Sequence, residues 1–102
     1  MIDRNVVKIL GAMELADANQ KYPLFHSNHE AFSVLSEEVE EVRDCLLDIE
    51  QKLYCMWDNV RHDDNATFDM NRELLAVAAE QLIQEAVQVY AMAIKGFDEE
   101  RY

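Results

Sequence analysis

The apolar residues of this chain recur at helical spacing in three stretches. In the second stretch, nine apolar residues alternate by three and four positions without interruption: Phe32, Leu35, Val39, Val42, Leu46, Ile49, Leu53, Met56 and Val60. This spacing places all nine on one face of an α-helix and approaches a coiled-coil seam. Ser27 and Glu30 precede the stretch at the spacing of a capping box, which predicts that the helix begins there.

Two further helices are predicted on either side. The first presents one apolar face: Ile2, Val6, Ile9, Met13 and Ala16. Pro23 restricts the residue before it and ends this helix. The third is predicted to run from Thr67 or Asp69, either of which can cap it, to Lys95, with Gly96 placed to end it.

These elements predict an all-α fold, a helical hairpin or bundle with long antiparallel helices, in a single domain over residues 1–102. An unbroken second helix from 29 to 61 is about 50 Å long, which exceeds the diameter expected of so small a domain. Either this helix breaks between Asp44 and Asp48, or a second chain covers part of its apolar face. We favour a homodimer whose paired chains complete a four-helix core, and a homotetramer stays open.

The net charge of −12 limits the partners of the chain. The electric field of such a charge repels phosphate groups. A protein that binds nucleic acid or an anionic membrane through Lys and Arg is therefore excluded. No apolar run approaches the roughly 20 residues of a membrane span, and the first residues lack a signal pattern. With Cys45 and Cys55 interpreted as reduced thiols, we expect a cytoplasmic protein.

Four carboxylates fall within five residues, from Glu37 to Glu41. Glu38 and Glu41 are three apart and therefore project from neighbouring positions of a helix, at the edge of the apolar face. Their like charges repel unless a cation lies between them, and Mg²⁺ prefers oxygen ligands of this kind. A solvated acidic face is the alternative that this spacing alone leaves open.

The third helix offers a further carboxylate, Glu85, within the mostly apolar segment from Leu82 to Ile94. A carboxylate on an inward face is costly unless it is paired, protonated or bound to a metal. Gln88 adds an amide oxygen on the same side of the helix. The alternative is a hydrogen-bonded or protonated core acid.

The stretch Glu37-Glu38-Val39-Glu40-Glu41 resembles the Glu-Glu-x-x-Glu motif of the MazG-like superfamily of all-α nucleoside triphosphate pyrophosphohydrolases. The Glu-x-x-Asp motif of that family falls on Glu85-Ala86-Val87-Gln88, and residues 85–93 are similar to small phage-type members. The likeness spans residues 24–96. Gln88 stands where the family has Asp, and its amide oxygen adds no negative charge.

The resemblance implies cleavage of a nucleoside triphosphate between its α- and β-phosphates, which releases a monophosphate and pyrophosphate. It implies dependence on Mg²⁺, with Mn²⁺ as a possible substitute, and assigns the metal to Glu38, Glu41, Glu85 and Gln88. Glu37 is then an accessory ligand or positions water, so that Glu37, Glu38 and Glu41 form the catalytic set. Basic residues that could meet the outer phosphates are Lys21, Lys52, Arg61, Arg72 and Lys95.

A second interpretation comes from another class of protein. A non-catalytic acidic helical protein could bind a basic partner, or serve as an assembly subunit. Binding to a basic partner would weaken steeply with salt and would not need Mg²⁺. A real metal site is instead stabilised by Mg²⁺ through mass action.

Overall fold

The computed structural model describes all residues, 1–102, and contains three α-helices and no strand. Helix α1 spans Arg4–Asn19, α2 spans Asn28–Arg61 and α3 spans Asn65–Ile94. The prediction of an all-α fold is confirmed. Helix α2 is unbroken through residues 44–48, so its 34 residues extend about 51 Å and the predicted alternative of a helix break is wrong.

The chain forms two compact units, and each is described by itself below. The first unit contains Met1–Glu40 together with Glu85–Tyr102, and the second contains Glu41–Gln84. Each unit includes part of α2 and part of α3. A single domain over the whole chain stays a prediction.

Side-chain oxygen atoms cap the beginning of each helix. Asp3 Oδ1 accepts a hydrogen bond from Asn5 N at 2.7 Å. Ser27 Oγ accepts one from Glu30 N at 3.1 Å, which is one of the two hydrogen bonds of the predicted capping box. At α3, Asp64 Oδ1 accepts from Thr67 N at 3.1 Å. Hydrogen bonds from the side chain of Thr67 and from its backbone N–H lower the pKa of Asp64.

The predicted ends of α3 need two corrections. Thr67 and Asp69 lie inside the helix, because the cap is Asp64 and the helix begins at Asn65. At the other end, α3 stops at Ile94, and Gly96 does not adopt the left-handed conformation of a glycine cap, since no glycine has a positive φ.

The unit Glu41–Gln84 is a helical hairpin closed by the three residues 62–64. Asp63 adopts a left-handed conformation with φ of 51°, and Asp64 N donates to Asn59 O at 2.9 Å. In the second turn of α3, Asn71 Nδ2 donates to Asn59 Oδ1 at 2.9 Å. Such a short connection sets the two helical segments antiparallel, as predicted.

In the other unit, α1 packs through Gly11 against the ring of Tyr90. Gly11 is buried, whereas the apolar face from which α1 was predicted is exposed: Ile2, Val6, Ile9 and Met13. The sequence pattern therefore identified the helix but not the face that this chain buries. A glycine permits the closer approach, because a Cβ at this position would overlap the tyrosine ring.

We expect Gly11→Ala to lower the free energy of unfolding by about 1–3 kcal/mol, because the added methyl group forces the Tyr90 ring to move. Thermal unfolding followed by circular dichroism measures this change. The matched control is Gly96→Ala, whose Cβ would meet Leu24 Cδ2 at 3.4 Å, an ordinary contact. Equal melting temperatures for the two variants would contradict the packing described for α1.

The last residues of the chain, 97–102, fold back against the segment between α1 and α2, and we call them the C-terminal strap. Phe25 N donates to Gly96 O at 2.9 Å, and Asp98 N donates to Phe25 O at 2.9 Å, which forms a single parallel bridge. The rings of Phe25 and Phe97 lie 5.9 Å apart. His26 Nδ1 contacts the Asp98 carboxylate, and that hydrogen bond raises the pKa of His26.

The nine apolar residues on this face of α2 form two rows, and within each row successive residues are seven positions apart. One row is half-buried: Leu35, Val42, Ile49 and Met56. The other row is exposed, and we call it the exposed α2 row: Phe32, Val39, Leu46, Leu53 and Val60. No helix in the chain combines the length and apolar character needed to cross a membrane.

Candidate metal centre

Two of the predicted site residues, Glu38 on α2 and Glu85 on α3, lie in the same compact unit and meet through Gln88. Both glutamates are half-buried. With its amide nitrogen facing the carboxylates, Gln88 donates to Glu38 Oε2 at 2.8 Å and to Glu85 Oε2 at 3.1 Å. One amide group therefore bridges an acid from each helix.

Glu41 completes the cluster from the next turn of α2. Because α2 is uninterrupted, Glu38 and Glu41 project from neighbouring positions, as their spacing predicted. Glu38, Glu41 and Glu85 each offer one carboxylate oxygen, and these three atoms lie within 4.8 Å of one another. We call these three residues the carboxylate cluster. Glu41 is its exposed member.

The donor set of the carboxylate cluster fits a hard divalent cation. Mg²⁺ binds oxygen at about 2.1 Å, so two oxygen ligands on opposite sides of one ion lie about 4.2 Å apart. Oxygen atoms within 4.8 Å of one another reach that limit by small side-chain rotations. Three carboxylates without nitrogen or sulfur ligands favour Mg²⁺ or Mn²⁺ over zinc.

That Gln88 binds the metal through its amide oxygen stays a prediction. In the arrangement described above, its amide nitrogen donates to two carboxylates. Such donation offsets part of the repulsion between Glu38 and Glu85, because it places a partial positive charge between them. Gln88 is thus a positioning residue for both acids in this arrangement.

The other predicted residues are distributed around this cluster. Glu37 is exposed and is not one of the three clustered carboxylates, so its catalytic role stays a prediction. Lys52 pairs with Asp48 at 3.2 Å, and Arg61 pairs with Asp58 at 2.8 Å, both on α2. Exposed Arg72 makes no ion pair, and the two remaining candidates, Lys21 and Lys95, lie together at a cavity.

This cavity has a volume of about 730 Å³ and is lined only by residues of the unit Met1–Glu40 with Glu85–Tyr102. Its walls are mostly apolar and include Tyr22, Phe25, Val34 and Met92. The volume falls within the range of small-molecule sites in proteins. We call it the strap cavity, because Asp98 of the C-terminal strap also lines it.

Lys95 is the unusual residue of the strap cavity. Its side chain is 7 % exposed, and its Nζ lies 4.7 Å from the centre of the Phe25 ring. The ammonium makes no hydrogen bond or ion pair with the chain, and a charge buried in this way is costly. The sequence named Lys95 among five possible phosphate contacts, but nothing in the spacing separated it from the other four.

The strap cavity as a whole has no signature in the sequence. Tyr22 and Phe25 lie in an irregular segment where periodicity gives no information, and Asp98 approaches them only through the long-range bridge of Phe25. The single available signal was the pair of aromatic residues around Pro23. No protein-family model, curated protein or solved structure matches this chain.

Proposed function

We propose that the chain is a nucleoside triphosphate pyrophosphohydrolase that depends on Mg²⁺ or Mn²⁺ and cleaves between the α- and β-phosphates. The observation that carries the proposal is the convergence of Glu38, Glu41 and Glu85 within 4.8 Å. Their resemblance to the paired motifs of MazG-like enzymes supplies the reaction. The proposed activity is that of a hydrolase that acts on acid anhydrides.

In this proposal, the carboxylate cluster binds the cation, and the neighbouring Glu37 interacts with water. Glu38, Glu41 and Glu85 would ligate the cation, and Gln88 fixes the rotamers of two of them through its amide nitrogen. A bound divalent cation neutralises phosphate oxygen atoms and lowers the pKa of a bound water. Glu37, which is exposed and adjacent to Glu38 in the sequence, would accept a proton from water or position it.

A homodimer, or a homotetramer built from it, is the proposed assembly. Each compact unit exposes large apolar side chains that a second copy of the chain could cover, among them Phe32 in the first unit and Leu53 in the second. The exposed α2 row and the exposed apolar face of α1 offer surfaces for it.

One observation favours the second candidate, a non-catalytic acidic protein that binds a basic partner or serves as an assembly subunit. Gln88 already offsets the repulsion between Glu38 and Glu85 without any cation. A chain that keeps the helices and the cluster but has lost the charge of the family aspartate could persist as a binding or assembly subunit. Its net charge of −12 suits a basic surface.

The test is pyrophosphate release from a panel of ribo- and deoxynucleoside triphosphates, with and without Mg²⁺, for the wild-type protein and for Gln88→Asp. We expect cation-dependent turnover by the wild type. Gln88→Asp should bind Mg²⁺ more tightly, because it adds a fourth negative charge. Turnover by the variant alone would identify the wild type as a degenerate enzyme. If both proteins were folded and neither released pyrophosphate, the proposed activity would be refuted.

A further inference from the structure

We infer that the strap cavity holds the base of the nucleotide, and that Lys95 selects bases with a carbonyl oxygen at the edge farthest from the sugar. Such bases are uracil, thymine, guanine and hypoxanthine. The inference rests on the proposed function, because it names the substrate class of that site. Its evidence is separate from the carboxylates: a cavity of about 730 Å³ and a buried ammonium without an anionic partner.

The composition of the cavity wall distinguishes the base from the phosphates. Tyr22, Phe25, Val34 and Met92 give it a mostly apolar and partly aromatic lining. A flat heteroaromatic ring gains contact and stacking energy against such walls, whereas a triphosphate would lose its hydration there. Glu30 and Asp98 also line the cavity, and their two carboxylates balance the charges of Lys21 and Lys95, so the lysines do not make it a site for a triphosphate.

The cavity lies one helical turn from Glu38 and Gln88, which belong to the same unit as the cavity. Val34 lines the cavity and precedes Glu38 by four residues on α2, and Met92 lines it and follows Gln88 by four residues on α3. Residues four apart share one face of a helix and are about 6 Å apart along its axis. A nucleotide with its phosphates at the cluster thus directs its base along both helices into the cavity.

Lys95 directly follows the last residue of α3 and is seven residues beyond Gln88, about 10 Å further in the direction of the helix axis. The base edge that reaches it is therefore the edge farthest from the sugar. An ammonium group is a donor only. The O4 of uracil and the O6 of guanine accept from it, whereas the N4 of cytosine and the N6 of adenine are donors and would oppose it.

The experiment follows the five methionine methyl groups by NMR after ¹³C-methyl labelling, in the absence of any divalent cation. Met92 lines the cavity, and Met56 and Met70, in the other unit, serve as internal controls. The probes are dUMP and dCMP, which differ at the position that Lys95 would contact. We expect Met92 to respond to dUMP at a concentration about tenfold lower than to dCMP, since a hydrogen bond from a charged donor favours only one of them.

Three variants separate selection by Lys95 from general effects on the cavity. Lys95→Leu should bind dUMP and dCMP equally, Lys95→Arg should keep the preference because it keeps a donor, and Lys21→Leu should keep it as a cavity lysine outside this role. A circular dichroism spectrum equal to that of the wild type reports that each variant is folded, and unshifted Met56 and Met70 signals report that the other unit is unchanged. Loss of the preference in Lys21→Leu instead of Lys95→Leu would overturn the assignment.

Other outcomes are equally decisive. A Met92 response to pyrophosphate as strong as that to dUMP would show that phosphates occupy the cavity, and equal responses to dUMP and dCMP in the wild type would overturn the selectivity. No response to either nucleotide would overturn base binding even if the enzyme turned over. Because the measurement needs neither cation nor turnover, a selective Met92 response would stand even if the proposed activity failed.

Discussion

Glu38→Gln is expected to lower turnover by at least about 100-fold and to abolish the thermal stabilisation by Mg²⁺. Gln keeps the shape of the side chain and can accept the hydrogen bond from Gln88, so the helices stay in place. It removes one of three negative charges from the cluster. A cation at ten times its Kd stabilises the wild type by about 1.4 kcal/mol, which raises the melting temperature of a domain of this size by roughly 5–10 °C.

The same substitution has the opposite effect when no cation is present. Relief of the repulsion between Glu38 and its neighbours should raise the free energy of unfolding by a few tenths of a kcal/mol. Differential scanning fluorimetry with and without Mg²⁺ measures both effects. Glu40→Gln is the matched control, because Glu40 is exposed on the same helix outside the cluster. A Mg²⁺ response that survived in Glu38→Gln would remove Glu38 from the metal site.

The second large effect is expected at Leu53, the fourth of the five residues in the exposed α2 row. Leu53 is 59 % exposed within one chain, so Glu at this position should leave the chain folded. If a second copy covers the row, Leu53→Glu removes at least about 1.5 kcal/mol of burial from each subunit. The dissociation constant of the dimer should then rise by about 100-fold or more.

Sedimentation equilibrium over a range of protein concentrations measures this change. Gln51→Glu is the matched control, since it adds the same charge two residues away, on the side of α2 opposite the row. The wild type and the control should be dimers or tetramers at concentrations where Leu53→Glu is a monomer. A monomeric wild type at high concentration would contradict the proposed assembly.

The sequence predicted most of the helices because their signals are local. Ser27 and the nine apolar positions of α2 depend on neighbours within one or two turns, and both predictions hold in the structure. The start of α3 was wrong for a local reason as well. Asp63 takes a left-handed conformation and turns the chain early, so Asp64 caps the helix before either predicted residue.

The carboxylate cluster was predictable because a helix fixes the spacing of Glu38 and Glu41, and because an acid among apolar residues marked Glu85 as inward. The donor role of Gln88 was not predictable, since the direction of an amide depends on what faces it. The buried face of α1 was also missed. Gly11 has no side chain to register in a hydrophobic pattern, yet its lack of a Cβ decides where Tyr90 packs.

The C-terminal strap affects the order in which parts of one chain fold. His26 and Asp98 are 72 positions apart, whereas the bonded pair Asn59 and Asn71 in the hairpin is 12 apart. Loop-closure entropy grows with the logarithm of the separation, so joining the strap costs about 1.6 kcal/mol more than joining the hairpin. The hairpin can therefore form first, and the walls of the strap cavity meet last. A ligand bound in that cavity would stabilise the contacts that form in the final folding step.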